Sequence, residues 1–255
     1  MKGARLGQHF LKHVWAARKL ARAAAPLPGE TILEIGPGKG VLTRELLALG
    51  PVVAVEKDEA LVAILRETFA EELAQGKLHI VLDDVRNITP DSLALEHYVL
   101  AANIPYYITG EIIRQFLSAR TQPRAMALLI QREVAQRIVS RKESILSLSV
   151  KAYGVPKMVE KVSRSHFSPP PSVDSAILAV SDISKDFFTH ITEEHFFNVV
   201  RTGFSSKRKF VASNLSNAFD KETVVRAMTE ARISPKERAE NISLEQWGMV
   251  AKALG

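Results

Sequence analysis

Short apolar runs alternate, through the first half of the chain, with longer stretches whose apolar positions recur at helical spacing. Residues 12–25 are Ala-rich and bounded by Pro26 and Pro28, which predicts a helix. Thr31-Ile32-Leu33-Glu34-Ile35 predicts a strand ending in Gly36-Pro37-Gly38-Lys39-Gly40, and 41–49 a helix that stops at Gly50. A second strand covers 51–55 and closes at Glu56; one helix is predicted over 58–73; a third strand, 78–82, ends at Asp83-Asp84. A fourth covers 98–102 and ends at Asn103, and a fifth covers 125–130. This alternation predicts an α/β protein built on a parallel, doubly wound sheet. Gly36, Glu56, Asp84 and Asn103 each fall just past the carboxyl end of a predicted strand, where open α/β sheets bind ligands. After about residue 180 the pattern changes. Residues 190–255 carry helical stretches and no strand signal, so a small all-helical C-terminal domain is expected, with domains at 1–183 and 184–255.

Composition narrows the chemistry. With 255 residues and 46% hydrophobic content, the chain can bury a sizeable core. The absence of Cys removes disulfides, thiolate nucleophiles and zinc ribbons, and seven His without an HExxH pattern predict no metal site. No apolar run reaches the roughly 18 residues of a bilayer span, and the opening residues lack a signal-peptide pattern. A soluble, cytoplasmic protein with no membrane role is expected. The net charge of +6 is uneven: residues 1–50 sum to +5, 51–100 to −6, 101–180 to +6 and 181–255 to +1. A polyanion would therefore meet the beginning and middle of the chain.

The Gly36–Gly40 turn lets backbone approach a ligand closely, and Glu56, 20 residues after Gly36, is placed to grip two ribose hydroxyls. Dinucleotide folds use G-x-G-x-x-G; here the spacing is G-x-G-x-G, which with the acid on the second strand resembles S-adenosylmethionine-dependent methyltransferases. Asp84 then suits the adenine exocyclic amine. Asn103-Ile104-Pro105-Tyr106 matches the (N/D/S)-(I/L/P)-P-(Y/F) motif of enzymes that methylate exocyclic amino groups in nucleic acids. The adenine N6 lone pair is delocalised into its ring. If the Asn103 side-chain carbonyl and the Ile104 main-chain carbonyl accept the two N6 hydrogens, nitrogen pyramidalises and the lone pair localises. Pro105 stiffens the loop, and Tyr106 offers an aromatic face to a base swung out of its stack. In isolation the same tetrapeptide reads as an Asn-Pro turn with a core Tyr.

Taken together these segments resemble the ribosomal RNA adenine N6,N6-dimethyltransferases, most closely the bacterial small-subunit (kasugamycin-susceptibility) branch, almost end to end. Leu6-Gly7-Gln8-His9-Phe10-Leu11 resembles the family's opening GQ(N/H)FL motif, with His9 and Leu11 at cofactor positions. Gly36, Gly38, Glu56, Asp84 and Asn103 fall on its other S-adenosyl-L-methionine contacts, and residues 103–109 on its catalytic NLPYxIS/T motif. Residues 129–137 resemble LxQKEVAxR, 167–176 resemble FxPxPKVDSA, 204–215 resemble the FxxRRKTLxNxL helix, and 238–243 the RAExLS element. Ser172, Tyr107 and Glu143 depart from the family pattern.

The resemblance implies a Rossmann-like methyltransferase sheet, with Phe167 helping to sandwich the target base and RNA contacts at Arg132, Lys207, Arg208 and Lys209. His13, His166 and His190 show no partner spacing and are read as structural or exposed. The implied function is dimethylation of two adjacent adenosines in a hairpin near the 3′ end of 16S rRNA, by a monomer acting on the assembling 30S subunit. The alternatives are a macrolide-resistance-type methylase of large-subunit rRNA and a non-catalytic assembly or transcription factor on the same fold.

Overall fold

The computed structural model describes residues 9–255, so Leu6, Gly7 and Gln8 of the opening motif lie outside the described residues. The chain divides into two compact units: Met1–Ala135 with Val155–Ile183, and Gln136–Gly154 with Ser184–Gly255.

The first unit carries β1 (Phe10–Leu11), α1 (Val14–Ala23), β2 (Thr31–Ile35), α2 (Val41–Leu47), β3 (Val52–Glu56), α3 (Glu59–Thr68), α4 (Ala70–Ala74), β4 (Leu78–Leu82), β5 (Tyr98–Asn103), α5 (Thr109–Leu117) and β6 (Met126–Gln131). After α6 (Arg132–Val139) and α7 (Ile145–Lys151) it resumes with β7 (Val155–Val162), β8 (Phe167–Ser168) and β9 (Ser175–Ser181). Seven strands form one sheet in the order β4-β3-β2-β5-β6-β9-β7. The first five are parallel, and β9 and β7 close the edge antiparallel. The inner strands are buried on both faces, as β5 shows with five fully buried residues before Asn103, which is why they read as continuous apolar runs. Register does the positioning. Ile35 lies opposite both Val55 and Ala102, and Glu56 opposite Leu82, so Gly36, Glu56, Asp83 and Asn103 follow on one edge of the sheet. Strand order reverses between β2 and β5, and the crevice of such a sheet opens there.

Two details depart from the sequence expectation. The helix expected over 58–73 is broken at Phe69, whose backbone (φ −118°, ψ 33°) leaves the helical region. The break drives the fully buried Phe69 ring beneath Gly40, where an added Cβ would lie 2.4 Å from the ring. In addition, the apolar signal after residue 150 conceals the β7 and β9 pair. Here β7 is an edge strand with alternating exposure, and Pro156 is tolerated near its start.

The second unit holds the end of α6, α7, α8 (Glu193–Gly203), α9 (Val211–Leu215), α10 (Lys221–Glu230) and α11 (Leu244–Ala253), with no strand among its described residues. Capping boxes start α7 (Ser144 with Ser147) and α11 (Ser243 with Gln246). Trp247 of α11 is fully buried against Gly203, where a Cβ would meet the indole at 2.3 Å. Glu143 is a structural group of this unit: its carboxylate takes Lys151 Nζ at 2.6 Å and the Ser147 hydroxyl at 2.7 Å.

Candidate active site

The crevice at the strand ends is a half-open cleft with a largely apolar lining and a few polar groups turned into it, as small-molecule sites have. His9, Gly36, Gly38, Glu56 and Asp84 line it together with Asn103, Ile104, Pro105, Tyr106 and Phe167. Leu11 borders an adjoining recess shared with Phe10, Gly36, Gly38 and Asn103. The structure thus gathers the sequence-predicted catalytic and cofactor residues around one cavity.

The glycine turn shapes one wall. Gly38 has φ +59°, and a Cβ there would touch the Phe10 ring at 3.0 Å, so only glycine lets β1 lie across the turn. Lys39 places its ammonium 5.4 Å from the same ring. The Glu56 carboxylate is nearly fully buried and is fixed by amides: Gly38 N–H donates to Oε2 at 3.1 Å, and Lys57 and Asp58 N–H donate to Oε1 at 2.9 and 3.1 Å. With about four lone-pair sites per carboxylate, acceptor capacity remains for a ligand hydroxyl. Asp84 is gripped by Arg86, a residue absent from the sequence reading: Nε donates to Oδ1 at 3.0 Å and Nη2 to Oδ2 at 2.6 Å. That guanidinium holds the Asp84 carboxyl well below the usual range, at about 2. Because Arg86 follows two residues later and its own amide also donates to Oδ1, a 3-10 turn presents the pair.

The catalytic turn is oriented from outside. Asn103 Nδ2 donates to the His9 carbonyl at 3.1 Å. A carbonyl only accepts, so the amide NH₂ must face His9, and Oδ1 points the other way. Among the described residues no hydrogen bond reaches Asn103 Oδ1 or the Ile104 carbonyl, while Ile104 N–H is tied to the Leu129 carbonyl at 3.3 Å. His9 is itself held: its Nδ1 meets the Pro169 carbonyl at 2.8 Å, and its ring lies 5.9 Å from that of Tyr106. Tyr106 shares a 2.7 Å hydrogen bond with the fully buried Ser175 hydroxyl, and burial raises its phenol above the ordinary value, keeping it protonated at neutral pH. Ser175 lies within the quoted 167–176 segment, but only the β6–β9 pairing reveals that it reaches Tyr106. Phe167 is 1% exposed and belongs to the apolar core while also bordering the cleft. It pairs with Leu11 across β1 and β8. Tyr107 is 62% exposed at the rim and receives Lys57 Nζ at 3.5 Å. The Ser172 carbonyl accepts from Arg164.

Beneath the glycine turn, Glu34 is fully buried. Among the described residues neither its carboxyl oxygens nor the Thr43 hydroxyl has a well-formed hydrogen bond. Burial pushes the Glu34 carboxyl up to about 8, against the opposing influence of Thr43 and with repulsion from Glu56, so it is protonated at neutral pH.

Arg132 opens α6; its amide donates to the Asp174 carbonyl at 3.0 Å, and its buried Nε has no hydrogen-bond partner among the described residues. Lys207, Arg208 and Lys209 are exposed, but they sit on a turn between α8 and α9 rather than on the helix expected from the motif. The helix is interrupted because the turn is fastened from below. Asn214 Nδ2 donates to the Gly203 and Ser206 carbonyls at 2.7 and 3.0 Å, and Arg238 Nη1 to the Lys207 carbonyl at 2.9 Å.

Known proteins share this arrangement. The profile of the family described as "Ribosomal RNA adenine dimethylase" matches residues 2–254. Curated relatives include the "Ribosomal RNA small subunit methyltransferase A" of Dehalococcoides mccartyi, 38% identical over 96% of this chain and 86% of its own length. That of Moorella thermoacetica is 35% identical over 97% and 91%. Among solved structures, the 23S rRNA methyltransferase ErmE superposes with a TM-score of 0.79 at 26% identity, covering 96% of this chain and 99% of that one. A dimethyladenosine transferase from Plasmodium falciparum reaches 0.82 at 24% identity, covering 95% and 96%, and supports the fold. With the match running nearly end to end and the motif residues converging on one cleft, the chain belongs to the ribosomal RNA adenine dimethylase family.

Proposed function

We propose that this protein methylates N6 of two adjacent adenosines in a hairpin near the 3′ end of small-subunit rRNA, forming N6,N6-dimethyladenosine on the assembling 30S subunit as a cytoplasmic monomer. The observation that carries this reading is the Asn103 amide, turned by the His9 carbonyl so that its oxygen and the neighbouring Ile104 carbonyl have no hydrogen-bond partner among the described residues at the cleft. The relatives' names support the small-subunit substrate. Among the described residues no helix is long and apolar enough to cross a membrane.

The cleft fits S-adenosyl-L-methionine on its own chemistry. Glu56 retains acceptor sites for the ribose hydroxyls, Asp84 Oδ2 retains one for an exocyclic amine, and the space beside Gly38 is one that a Cβ would fill. Gly36 and Leu11 border the same end, with His9 above. When bound, the cofactor supplies an electrophilic methyl group on a sulfonium. The Asn103 and Ile104 oxygens accept the N6 hydrogens of the target base and localise the nitrogen lone pair toward the cofactor end of the cleft. Tyr106, braced by Ser175, provides a stacking face, and Phe167 the opposite wall. Catalysis is positioning and electrostatic complementarity without a covalent enzyme intermediate. Arg132 and the Lys207–Lys209 turn supply cations for phosphates; neutralising three phosphates makes binding steeply salt-dependent.

The test is incubation of the protein with labelled methyl donor and undermethylated small subunits, followed by nucleoside analysis. Asn103→Ala is expected to lower transfer by about 100-fold or more while donor binding is largely kept; unchanged turnover overturns the lone-pair mechanism. ErmE, at 26% identity, favours a second reading, methylation of large-subunit rRNA. Dimethyladenosine appearing in 23S rather than 16S rRNA would establish it.

A further inference from the structure

His13 and His166 carry no partner signal in sequence, yet their rings meet edge to face, with centroids 4.6 Å apart. Trp15 lies against the same His166 ring at 5.8 Å and is 45% exposed, beside Val14 at 50%. The other tryptophan, Trp247, is fully buried. An indole nearly half exposed at a helix start is an apolar, flat surface that no described residue of its unit fully covers.

Its position is specific. Lys12 N–H donates to the His166 carbonyl at 2.8 Å, continuing the β1–β8 pairing of Phe10 and Leu11 with Ser168 and Phe167. Phe10 and Phe167 line the cleft, while Trp15 and His166, which closely follow Leu11 and precede Phe167 along the chain, do not. The surroundings are cationic. Lys12, His13 and Arg164 are exposed, and burial, joined by His13 and Lys12, holds the His166 imidazole below its ordinary value. The nearby acids are engaged: Glu160 with Lys19 at 3.8 Å, and Asp174 Oδ1 with the Arg164 amide at 3.0 Å.

We propose that Trp15 and His166, flanked by Lys12, His13 and Arg164, form a stacking and phosphate-binding surface for single-stranded RNA adjoining the target adenosine. A flat aromatic bordered by exposed lysine and arginine side chains is the recognition chemistry of unpaired nucleic acid, in which bases stack and the backbone follows positive charge. A protein partner would meet an apolar area only two side chains wide. The inference rests on the reading of rRNA as substrate and extends it to nucleotides outside the cleft.

The test uses the full chain and two readouts. Trp15→Ala is expected to raise KM for undermethylated small subunits about ten-fold, with kcat, donor affinity and Tm unchanged. Titration with a ten-nucleotide single-stranded RNA is expected to quench tryptophan fluorescence in the wild type. The conservative Trp15→Phe is expected to abolish that quenching, because Trp247 is buried, while retaining most of the RNA affinity. An unchanged KM in Trp15→Ala, or quenching that persists in Trp15→Phe, overturns the surface while wild-type methylation of rRNA still stands. Loss of the substrate reading itself shows differently, as wild-type protein that methylates no rRNA.

Discussion

Replacing Glu34 with Gln tests whether a neutral carboxyl is buried under the cofactor turn. The side chain is fully buried and its carboxyl is pushed from 4.5 to about 8. The folded pKa therefore lies above the unfolded one. Between those two values the unfolded chain has released the proton and the folded chain retains it, so the unfolded state binds fewer protons and stability falls as pH rises. The favourable contribution is complete below about 4.5, declines across neutral pH and is exhausted above about 8. At about 1.4 kcal/mol per pH unit the interval sets a ceiling of about 5 kcal/mol. Gln matches Glu in shape and carries no titration. The variant is expected to equal the wild type near pH 4.5 and to exceed it progressively toward pH 8, approaching that ceiling as far as relaxation around the ionised carboxylate allows. Urea unfolding followed by circular dichroism at several pH values measures both proteins, and their difference cancels every other titrating group. A difference that stays constant from pH 5 to pH 9 refutes the buried neutral acid.

Ser175→Ala removes the partner of the half-buried Tyr106 hydroxyl and is expected to reduce kcat/KM for rRNA by about 5- to 30-fold, from about 1–2 kcal/mol for one such bond. Ser175→Thr should restore it, and the loss should vanish in a Tyr106→Phe background; equal losses in both backgrounds would show that Ser175 acts through general packing. Gly40→Ala combines a φ of +79° with a Cβ 2.4 Å from the Phe69 ring. It is expected to destabilise the protein by about 3 kcal/mol, read as a fall of roughly 10 °C in Tm, and an unshifted Tm would show that the turn accommodates the methyl group.

The inner parallel strands were legible because they are buried on both faces, and β2 to β5 each end at a chemically distinctive residue, so the sequence alone places Gly36, Glu56, Asp84 and Asn103. The motif residues around the cleft were legible for the same reason, as their spacing carried both fold and chemistry. What escaped depended on contacts distant in sequence. Two-residue strands such as Phe10–Leu11 have no period to read, and so the tether from His9 to Asn103 was invisible. Phe69 looked like one more apolar position of a single helix, and only its burial under Gly40 explains the break. Ser175 sat in a recognised segment without its partner, and His13 and His166 gave no local sign that they would touch.

The helical unit is assembled from two stretches of chain, with Gln136–Gly154 spliced between strands of the other unit. During synthesis α7 leaves the ribosome well before the helix it packs against, α8, and the sheet closes through β7 and β9 in the interval. Tyr153, whose ring lies against those of Phe188 and Phe197, must therefore wait for its partners until the last part of the polypeptide arrives. A nascent chain stalled or cut after β9 lacks them, which makes the final helices the step that completes this unit.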